Sequence, residues 1–270
     1  MKSLLLATLV GLLMVGCGEE AQKEAVQGEA PFAIKPGENF TVSDLNLDMI
    51  WVEPGIFTMG SHRYETERNV TLTEGFWLGK YEVTQAQWER VMEGEEQIVK
   101  RIVNGRPKAL MDVNPSYFLG PNRPVDSLRH DEALKFCKKL TEIEQKAGRI
   151  PQDMAYQLPT MDHWEYACRA GTTTVYWWGD DINSTRANLK RSGFSQTRDV
   201  GQYAANPWGF HDMVGNVEEW CADEAPDKVN QTWAIRGGSY NHDESSLRGW
   251  WVGGWERRVT FGFRISFRSK

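Results

Sequence analysis

The feature that most constrains the fold of this chain is its supply of tryptophan and glycine. Among 270 residues, 12 are tryptophan and 25 are glycine. Large aromatic side chains bury much apolar area, whereas glycines permit turns and backbone conformations that other residues avoid. This combination predicts aromatic anchors under an irregular, turn-rich backbone rather than long regular elements.

The N-terminus has the pattern of an export signal. A short positive start is followed by an apolar run over residues 4–15. That run is shorter than the ~20 residues that a permanent membrane-spanning helix needs, which favours a signal peptide. Residues 14–17, Met-Val-Gly-Cys, resemble the bacterial lipobox, whose cysteine is lipidated and becomes the mature N-terminus. The sequence therefore predicts a lipoprotein signal over residues 1–17 and lipidation of Cys17; the alternative is an ordinary signal peptide with an incidental cysteine.

The segment after the lipobox is predicted to be a disordered tether, which we place at residues 18–45. It begins with a stretch rich in Glu, Gln, Ala and Lys that has almost no large apolar residue before Phe32, too few to fold. Residues 46–268 contain no second linker and are predicted to form one domain. We expect the protein to be extracytoplasmic and attached to a membrane through its lipid. Because Gly18 rather than Asp follows the cysteine, this would be the outer membrane if the organism has one.

The net charge of the chain narrows the classes of possible partner. The formal net charge is -6, and the chain shows no Lys/Arg-rich run, which argues against nucleic acid as a partner.

Three cysteines follow Cys17, namely Cys137, Cys168 and Cys221. An exported domain permits disulfides, so at most one bridge is expected among these three.

Local patterns predict three helices. The Thr-Gln-Ala-Gln sequence at residues 84–87 fits a capping box and opens a helix through Met92. Apolar residues at helical spacing predict a second helix between Ser127 and Gly148 and a short third one between Thr160 and Gly171. Alternation around Pro54 predicts two short strands within residues 49–59. The chain beyond Val175 is expected to be mostly loop.

A series of motifs in a fixed order resembles the formylglycine-generating enzyme, or sulfatase-modifying factor, family. The motifs cover nearly the whole domain: residues 49–52 and 57–61, 81–84, 124–125, 158–160 and 164–167, 178–180, 206–209, 212–217 with 219–220, 236–240, and 262–264. The resemblance implies an α+β fold related to C-type lectins, with little regular secondary structure. The glycines and tryptophans of these motifs are expected to be mainly structural, so they indicate the fold rather than the chemistry.

The resemblance also implies a catalytic site that this chain lacks. Active members of the family oxidise a sulfatase cysteine with copper and oxygen, using two cysteines shortly after the Gly-Gly-Ser motif. Thiolates are the ligands that monovalent copper prefers. Here residues 241–251, which follow the motif, contain no cysteine, and none occurs between Ala222 and Lys270. We therefore expect no bound copper and no formylglycine generation.

Two classes of function then remain open. The favoured one is a non-catalytic binding module for a peptide, a glycan or a surface protein. Its predicted cleft has Trp250, Trp251 and Trp255 as candidate stacking surfaces. The alternative is an enzyme of the same family with different chemistry, for which the polar cluster His242, Asp243 and Glu244 supplies the candidate residues.

A structural calcium ion is the one cofactor that the resemblance implies. In the family, the segment around Gly-Asn-x-x-Glu-Trp binds Ca²⁺ through side-chain and main-chain oxygens. The matching positions here are Asp212, Gly215, Val217 and Glu219, and this oxygen set suits calcium. A second family site begins at the positions of Asn188 and Leu189 and is expected to be weak or absent. The competing interpretation is that Asp212 and Glu219 only cap turns.

Overall fold

A computed structural model describes residues 34–61, 65–103, 106–224, 233–242, 251–253 and 258–270. Cys17 and the first part of the predicted tether lie outside these residues, so the lipidation stays a prediction. The described chain lies within one compact unit, Phe32–Lys270. No helix in the described ranges is long and apolar enough to span a bilayer.

Strands dominate the regular structure. The strands of the described residues are β1 (Phe40–Val42), β2 (Leu47–Val52), β3 (Gly55–Ser61), β4 (Glu65–Leu72), β5 (Phe76–Gly79), β6 (Gln97–Val103), β7 (Arg106–Asp112), β8 (Met154–Gln157), β9 (Glu218–Glu224), β10 (Trp233–Arg236), β11 (Trp251–Gly253), β12 (Phe261–Gly262) and β13 (Ser266–Ser269). They form a five-stranded sheet in the order β1-β2-β5-β13-β8 and a four-stranded sheet in the order β11-β10-β9-β12. Two further pairs, β3–β4 and β6–β7, are separate hairpins.

The structure confirms the three predicted helices. Their starts could be predicted because each depends on capping groups within a few residues. Helix α1 (Gln85–Val91) starts with the predicted capping box, in which Gln87 N–H donates to Thr84 Oγ1 over 3.3 Å. Helix α2 (His130–Lys146) buries Cys137, and Thr160 caps α3 (Met161–Arg169) by accepting from His163 N–H. This mixture of few helices and short strands confirms the α+β class expected from the sequence.

The folded domain begins before residue 46, which corrects the predicted end of the tether. Strand β1 lies inside that tether and pairs with β2, with Phe40 opposite Met49. The Phe40 ring packs edge-on against Trp77 at 5.8 Å, and Val42 is buried. The predicted boundary was wrong because the average composition of residues 18–45 is polar, although Phe40 and Val42 are apolar. They are stabilised by an existing sheet edge rather than by their own segment.

The expectation that the chain beyond Val175 is mostly loop is correct only in part. Up to Val217 the sole regular element in the described chain is a 3-10 turn at Lys190–Ser192. From Glu218 onward the chain supplies β9 to β13, and β13 is an interior strand of the larger sheet between β5 and β8. These strands are short and pair with distant partners, so periodicity within each one is a weak signal.

The core lies where α1 and α2 meet the larger sheet. Trp88 of α1 stacks on Phe136 of α2, with ring centroids 5.7 Å apart. Phe263 packs edge-on against both rings. A second apolar cluster joins β5 to α3 and includes Phe76, Trp164 and Ala167. The tryptophans predicted to be structural therefore include true core anchors, and the second cluster positions α3 beside the candidate site.

Candidate functional site

A buried ion pair lies beneath the predicted calcium loop. Glu219 of β9 and Arg264, which precedes β13, are both fully buried. Arg264 Nε donates to Glu219 Oε2 over 2.6 Å, and its Nη2 donates to Oε1 over 2.7 Å. Trp164 Nε1 also donates to Glu219 Oε2, over 2.7 Å. This bidentate, charge-assisted contact joins the two sheets to α3.

Two more buried carboxylates surround that pair. Burial, together with the charges of Asp212 and Glu219, holds the pKa of Glu82 well above its ordinary value. Burial likewise raises the pKa of Asp212 to about 6, although Gly201 N–H donates to its Oδ2 over 2.6 Å. Asn216 Nδ2 donates to Glu82 over 2.8 Å. Three carboxyl groups thus lie near one guanidinium, and the raised pKa values of Glu82 and Asp212 mean that burial favours their uncharged, protonated forms.

The predicted calcium ligands fit a cation only in part. Both Glu219 oxygens already accept hydrogen bonds from Arg264 and Trp164, and Asp212 caps the turn at Gly201. Among the turn and loop hydrogen bonds of the described residues, none goes to the carbonyl of Gly215 or Val217. Across the described chain, no three His, Cys, Asp or Glu side chains are arranged to hold a metal ion. The acidic side chains near Glu219 favour a cation, whereas the engaged oxygens of Glu219 favour a purely structural role.

The second, weaker calcium position is part of a backbone junction. Asn188 Nδ2 donates to Gln196 O over 2.9 Å and to Asn216 Oδ1 over 3.1 Å. The Asn188 carbonyl accepts from Asn216 N–H, and Leu189 N–H donates to Ser192 Oγ. Asn188 Oδ1 is buried and accepts no hydrogen bond from the described residues. That oxygen is the one feature that would suit a cation at this position.

Only one member of the predicted polar cluster is described. His242 is half-buried, and its Nδ1 lies 3.4 Å from Ser239 Oγ, a long contact at the end of a tight turn. The His242 carbonyl accepts from Lys190 N–H. Asp243 and Glu244 lie outside the described residues. So do Trp250 and Trp255 of the predicted cleft, while Trp251 is described only by its backbone in β11.

A groove that the sequence did not predict runs between β3 and the end of α3. Its volume is about 710 Å³. Three aromatic side chains form one wall: Phe57 packs on Tyr166 at 5.1 Å, and Tyr166 meets Trp208 edge-on at 4.8 Å. The rest of the lining consists of Ile56, Thr58, Gly60, Glu67, Arg169, residues 171–175 and Asp180. The groove therefore combines stacking surfaces with polar and charged groups of both signs.

Asn206 positions the tryptophan of this wall. Its Nδ2 donates to the carbonyl of Ala167 over 2.7 Å at the end of α3. Its Oδ1 accepts from the backbone N–H groups of Trp208 and Phe210 over 3.0 and 3.1 Å. The amide is buried, so these bonds tie the Trp208 turn to α3. The Asn-Pro-Trp-Gly motif at residues 206–209, read from the sequence as a mark of the fold, thus also shapes the groove.

A charged network holds β3 and α3 together beside the groove. Glu165 Oε1 accepts from Gly60 N–H over 2.8 Å and from Arg169 Nε over 2.9 Å. Arg169 Nη2 donates to the Gly60 carbonyl over 2.6 Å, and Arg236 Nη1 lies 3.3 Å from Glu165 Oε2. These contacts fasten β3 to α3. The network keeps the groove preformed, which lowers the entropic cost of binding.

No disulfide joins the three cysteines of the described chain, and one of them, Cys168, lies near the groove. Cys137, Cys168 and Cys221 are all free, so the single disulfide that the sequence permits is not formed. Cys168 lines a small cavity of about 60 Å³ next to the groove, together with Trp164 and Arg236. Burial raises the pKa of Cys168 to about 12. A thiol with that pKa is a poor nucleophile at neutral pH.

Comparisons with known proteins agree with this architecture. The model of the sulfatase-modifying factor enzyme 1-like domain (FGE-sulfatase) matches residues 37–268. The chain is 30% identical over 249 residues to the protein named "Chaperone protein LppX" of Paenibacillus barcinonensis, covering 75% of this chain and 80% of that relative. It is 28% identical over 222 residues to the formylglycine-generating enzyme of Mycobacterium tuberculosis, covering 66% of this chain and 74% of the enzyme.

A solved structure shows the same fold. PvdO from Pseudomonas aeruginosa superposes with a TM-score of 0.70 at 22% sequence identity, covering 87% of this chain and 99% of that one. At that identity the likeness concerns the fold alone. Since the family model covers well over half of the sequence, the chain belongs to the sulfatase-modifying factor enzyme 1-like domain family.

Proposed function

We propose that this protein is a lipid-anchored, extracytoplasmic binding protein whose groove takes an extended segment of another polypeptide. The observation that carries the proposal is the preformed groove of about 710 Å³ with Phe57, Tyr166 and Trp208 along one wall. Its volume falls within the range of roughly 300–1,000 Å³ that is usual for ligand sites. Catalysis with copper has no support in the chain, because no cysteine follows Cys221.

The groove chemistry suits a peptide. Trp208 and Phe57 are half-buried, so each presents part of its ring to a ligand. Aromatic faces bind apolar or planar side chains with little loss of conformational entropy. Arg169 and Asp180 supply charges of opposite sign at the rim, which match the mixed charges of a polypeptide. A relative that carries the name of a chaperone protein supports a polypeptide ligand as well.

The anchoring belongs to the same proposal. The lipobox at Cys17 and the apolar run before it support export and lipidation. A protein attached in this way would meet other exported polypeptides close to the membrane surface.

The test is binding of the soluble domain, residues 32–270, to an array of overlapping peptides from exported proteins. Trp208→Ala should lower the affinity for bound peptides at least tenfold, because it removes a wall of the groove. The matched control is Phe194→Ala, since Phe194 is also an exposed aromatic residue but contacts Arg198 away from the groove. Equal binding by both variants, or selective binding of glycans but not peptides in a parallel array, would contradict the proposal.

The calcium ion at Asp212, Gly215, Val217 and Glu219 is a second, separate proposal. Its support is the presence of two further buried acidic side chains, Glu82 and Asp212, near Glu219; a bound cation would favour their ionised forms. The two main-chain carbonyls, which accept none of the turn and loop hydrogen bonds of the described residues, add oxygen ligands of the kind that calcium prefers. The competing role of Glu219, as the counterion of Arg264, is tested together with it in the Discussion.

A further inference from the structure

Strand β3 has an edge that no other strand covers among the described residues. β3 and β4 form a two-stranded sheet, so β4 takes one edge of β3 and the second edge has no strand beside it there. Across the described chain, the main-chain groups of residues 56–58 make no backbone hydrogen bond outside this hairpin. An uncovered edge presents a row of N–H and C=O groups that a further strand can bind.

This edge faces the groove. Gly60 N–H donates to Glu165 Oε1 over 2.8 Å, and the Gly60 carbonyl accepts from Arg169 Nη2 over 2.6 Å. Both partners belong to α3, so the edge of β3 opposite β4 is directed toward α3. Three consecutive residues of the strand, 56–58, line the groove. Because consecutive side chains point to opposite faces of a strand, the groove follows the edge between the two faces.

The edge lacks the features that usually prevent the addition of another strand. Natural edge strands are commonly very short, charged or interrupted by proline. β3 has seven residues, Gly-Ile-Phe-Thr-Met-Gly-Ser, with no charged residue and no proline among them. The side chains of α3 cover the edge at Gly60, and this leaves residues 56–58 open beside the aromatic wall. A two-stranded sheet is only marginally stable by itself, so a third strand would stabilise the hairpin.

The charges of the lining indicate which polypeptides fit. The Arg169 guanidinium is compensated by Glu165, whose Oε1 accepts from Nε and Nη2 of Arg169 over 2.9 and 2.8 Å. The other charged residues of the lining are Glu67 and Asp180, both exposed. Asp180 is fixed at the rim because its Oδ1 accepts from Val175 N–H over 3.0 Å. The groove therefore complements a segment that carries basic side chains, which also bind favourably to aromatic rings.

We propose that the ligand of the groove is a basic, extended polypeptide segment that adds to β3 as a third strand. Its main chain hydrogen-bonds to the edge at residues 56–58, and its alternate side chains meet the aromatic wall. From residue 56 to residue 60 the edge extends about 13 Å, at roughly 3.3 Å per residue, so about five ligand residues pair with it. This mode of binding rests on the proposed function of the groove.

Asp180→Asn tests the preference for basic segments. The variant keeps an oxygen that can accept from Val175 N–H but loses the carboxylate charge. Lysine- or arginine-containing peptides should therefore bind about two- to fivefold more weakly, as is usual for the loss of an exposed ion pair. The matched control is Asp181→Asn, which changes the net charge equally at an exposed position outside the lining and should bind like the parent. Equal affinities for Asp180→Asn and Asp181→Asn would refute the charge preference.

Hydrogen exchange of the backbone amides shows where the peptide binds. With a bound peptide, amides within residues 56–60 should exchange more slowly. The matched control is β1, which is also an edge strand of its sheet but does not line the groove. Slower exchange at β1 alone, or at neither strand, would contradict the proposal. A peptide-free domain that sediments as a dimer and protects the same amides would identify a second copy of the chain as the occupant and overturn it.

The decisive experiment uses the peptides that bind residues 32–270 in the array of overlapping peptides. Each is synthesised again with N-methyl groups on alternate residues, in both possible phases, so that the side chains are unchanged but half of the N–H donors are lost. One phase should bind at least tenfold more weakly, because two or more main-chain hydrogen bonds are removed; the other should bind like the unmethylated peptide. If both phases bind like the unmethylated peptide, strand addition is wrong although the groove binds peptides. An array without any bound peptide would refute the proposed function and this mode of binding together.

Discussion

Replacing Glu219 by Gln isolates the contribution of the buried ion pair. The side chains of Glu219 and Arg264 are both 0% exposed, and two short hydrogen bonds join them. Removing one partner of a buried pair usually costs about 3–5 kcal/mol, because the other charge is left uncompensated. Here the charges of Glu82 and Asp212 also act on Arg264. We therefore expect a loss at the lower end, about 3 kcal/mol.

The magnitude translates into a clear shift of the unfolding transition. For a domain of this size, each 1 kcal/mol lowers Tm by roughly 2–4 °C, so the variant should unfold about 6–12 °C below the parent. Circular dichroism during heating, and urea titration at 25 °C, would measure it. Arg264→Met should be worse at pH 8 than at pH 5, because it leaves three carboxylates without their guanidinium and protonation relieves their repulsion.

The same measurement separates the two roles of Glu219. If Glu219 is the counterion of Arg264, the difference between parent and Glu219→Gln persists in EGTA. If Glu219 acts as a calcium ligand, the difference appears with calcium and vanishes in EGTA, since a ligand that binds the native state stabilises it in proportion to its occupancy. A variant within about 0.5 kcal/mol of the parent in EGTA would refute the ion-pair reasoning. An unchanged parent Tm on chelation would remove the calcium proposal.

Three further predictions concern pH, chemistry and anchoring. Burial raises the pKa of Glu218 to about 7 and that of Asp212 to about 6. Both folded-state pKa values exceed the unfolded ones. The stability that these two groups contribute is therefore complete below about pH 4 and is lost as pH rises through 6–7. Tm should therefore fall between pH 5 and pH 8 in EGTA, and Glu218→Gln should flatten this slope; a pH-independent Tm would contradict it. The purified domain supplied with copper and oxygen should leave a Cys-x-Pro-x-Arg peptide unconverted by mass spectrometry, and any turnover would show that a thiolate pair is unnecessary. Finally, Cys17→Ser should abolish labelling by a radioactive fatty acid and release the protein from membranes or leave its signal uncleaved, whereas a parent protein without the label would disprove lipidation.

Local chemistry and the order of motifs were readable from the sequence. Each helix start depends on groups within a few residues, as in the Thr84 box of α1 and the Thr160 cap of α3. The family could be recognised because its motifs extend over almost the whole domain. Helical spacing of apolar residues likewise predicted α2, on which the structure buries Cys137.

Long-range pairing was decided only by the tertiary structure. Strand β1 depends on an edge provided by β2, and β13 depends on β5 and β8, which lie far earlier in the chain. Neither strand has enough apolar alternation of its own to be identified. The boundary of the domain and the C-terminal strands were therefore missed for the same reason.

The candidate sites show the same division. The sequence identified Glu219 as a residue of interest through its motif, but its counterion Arg264 lies 45 residues away and is brought to it only by packing of the two sheets. Likewise, three separate sequence motifs contain Phe57, Tyr166 and Trp208. These residues form one wall only because the fold brings β3, α3 and the Asn206 turn together. Local propensity acts over a few residues, whereas burial of charge and aromatic surface acts on whatever the fold brings together. The sequence by itself thus determined the family and the helices, and the tertiary structure decided the charge pairing and the groove.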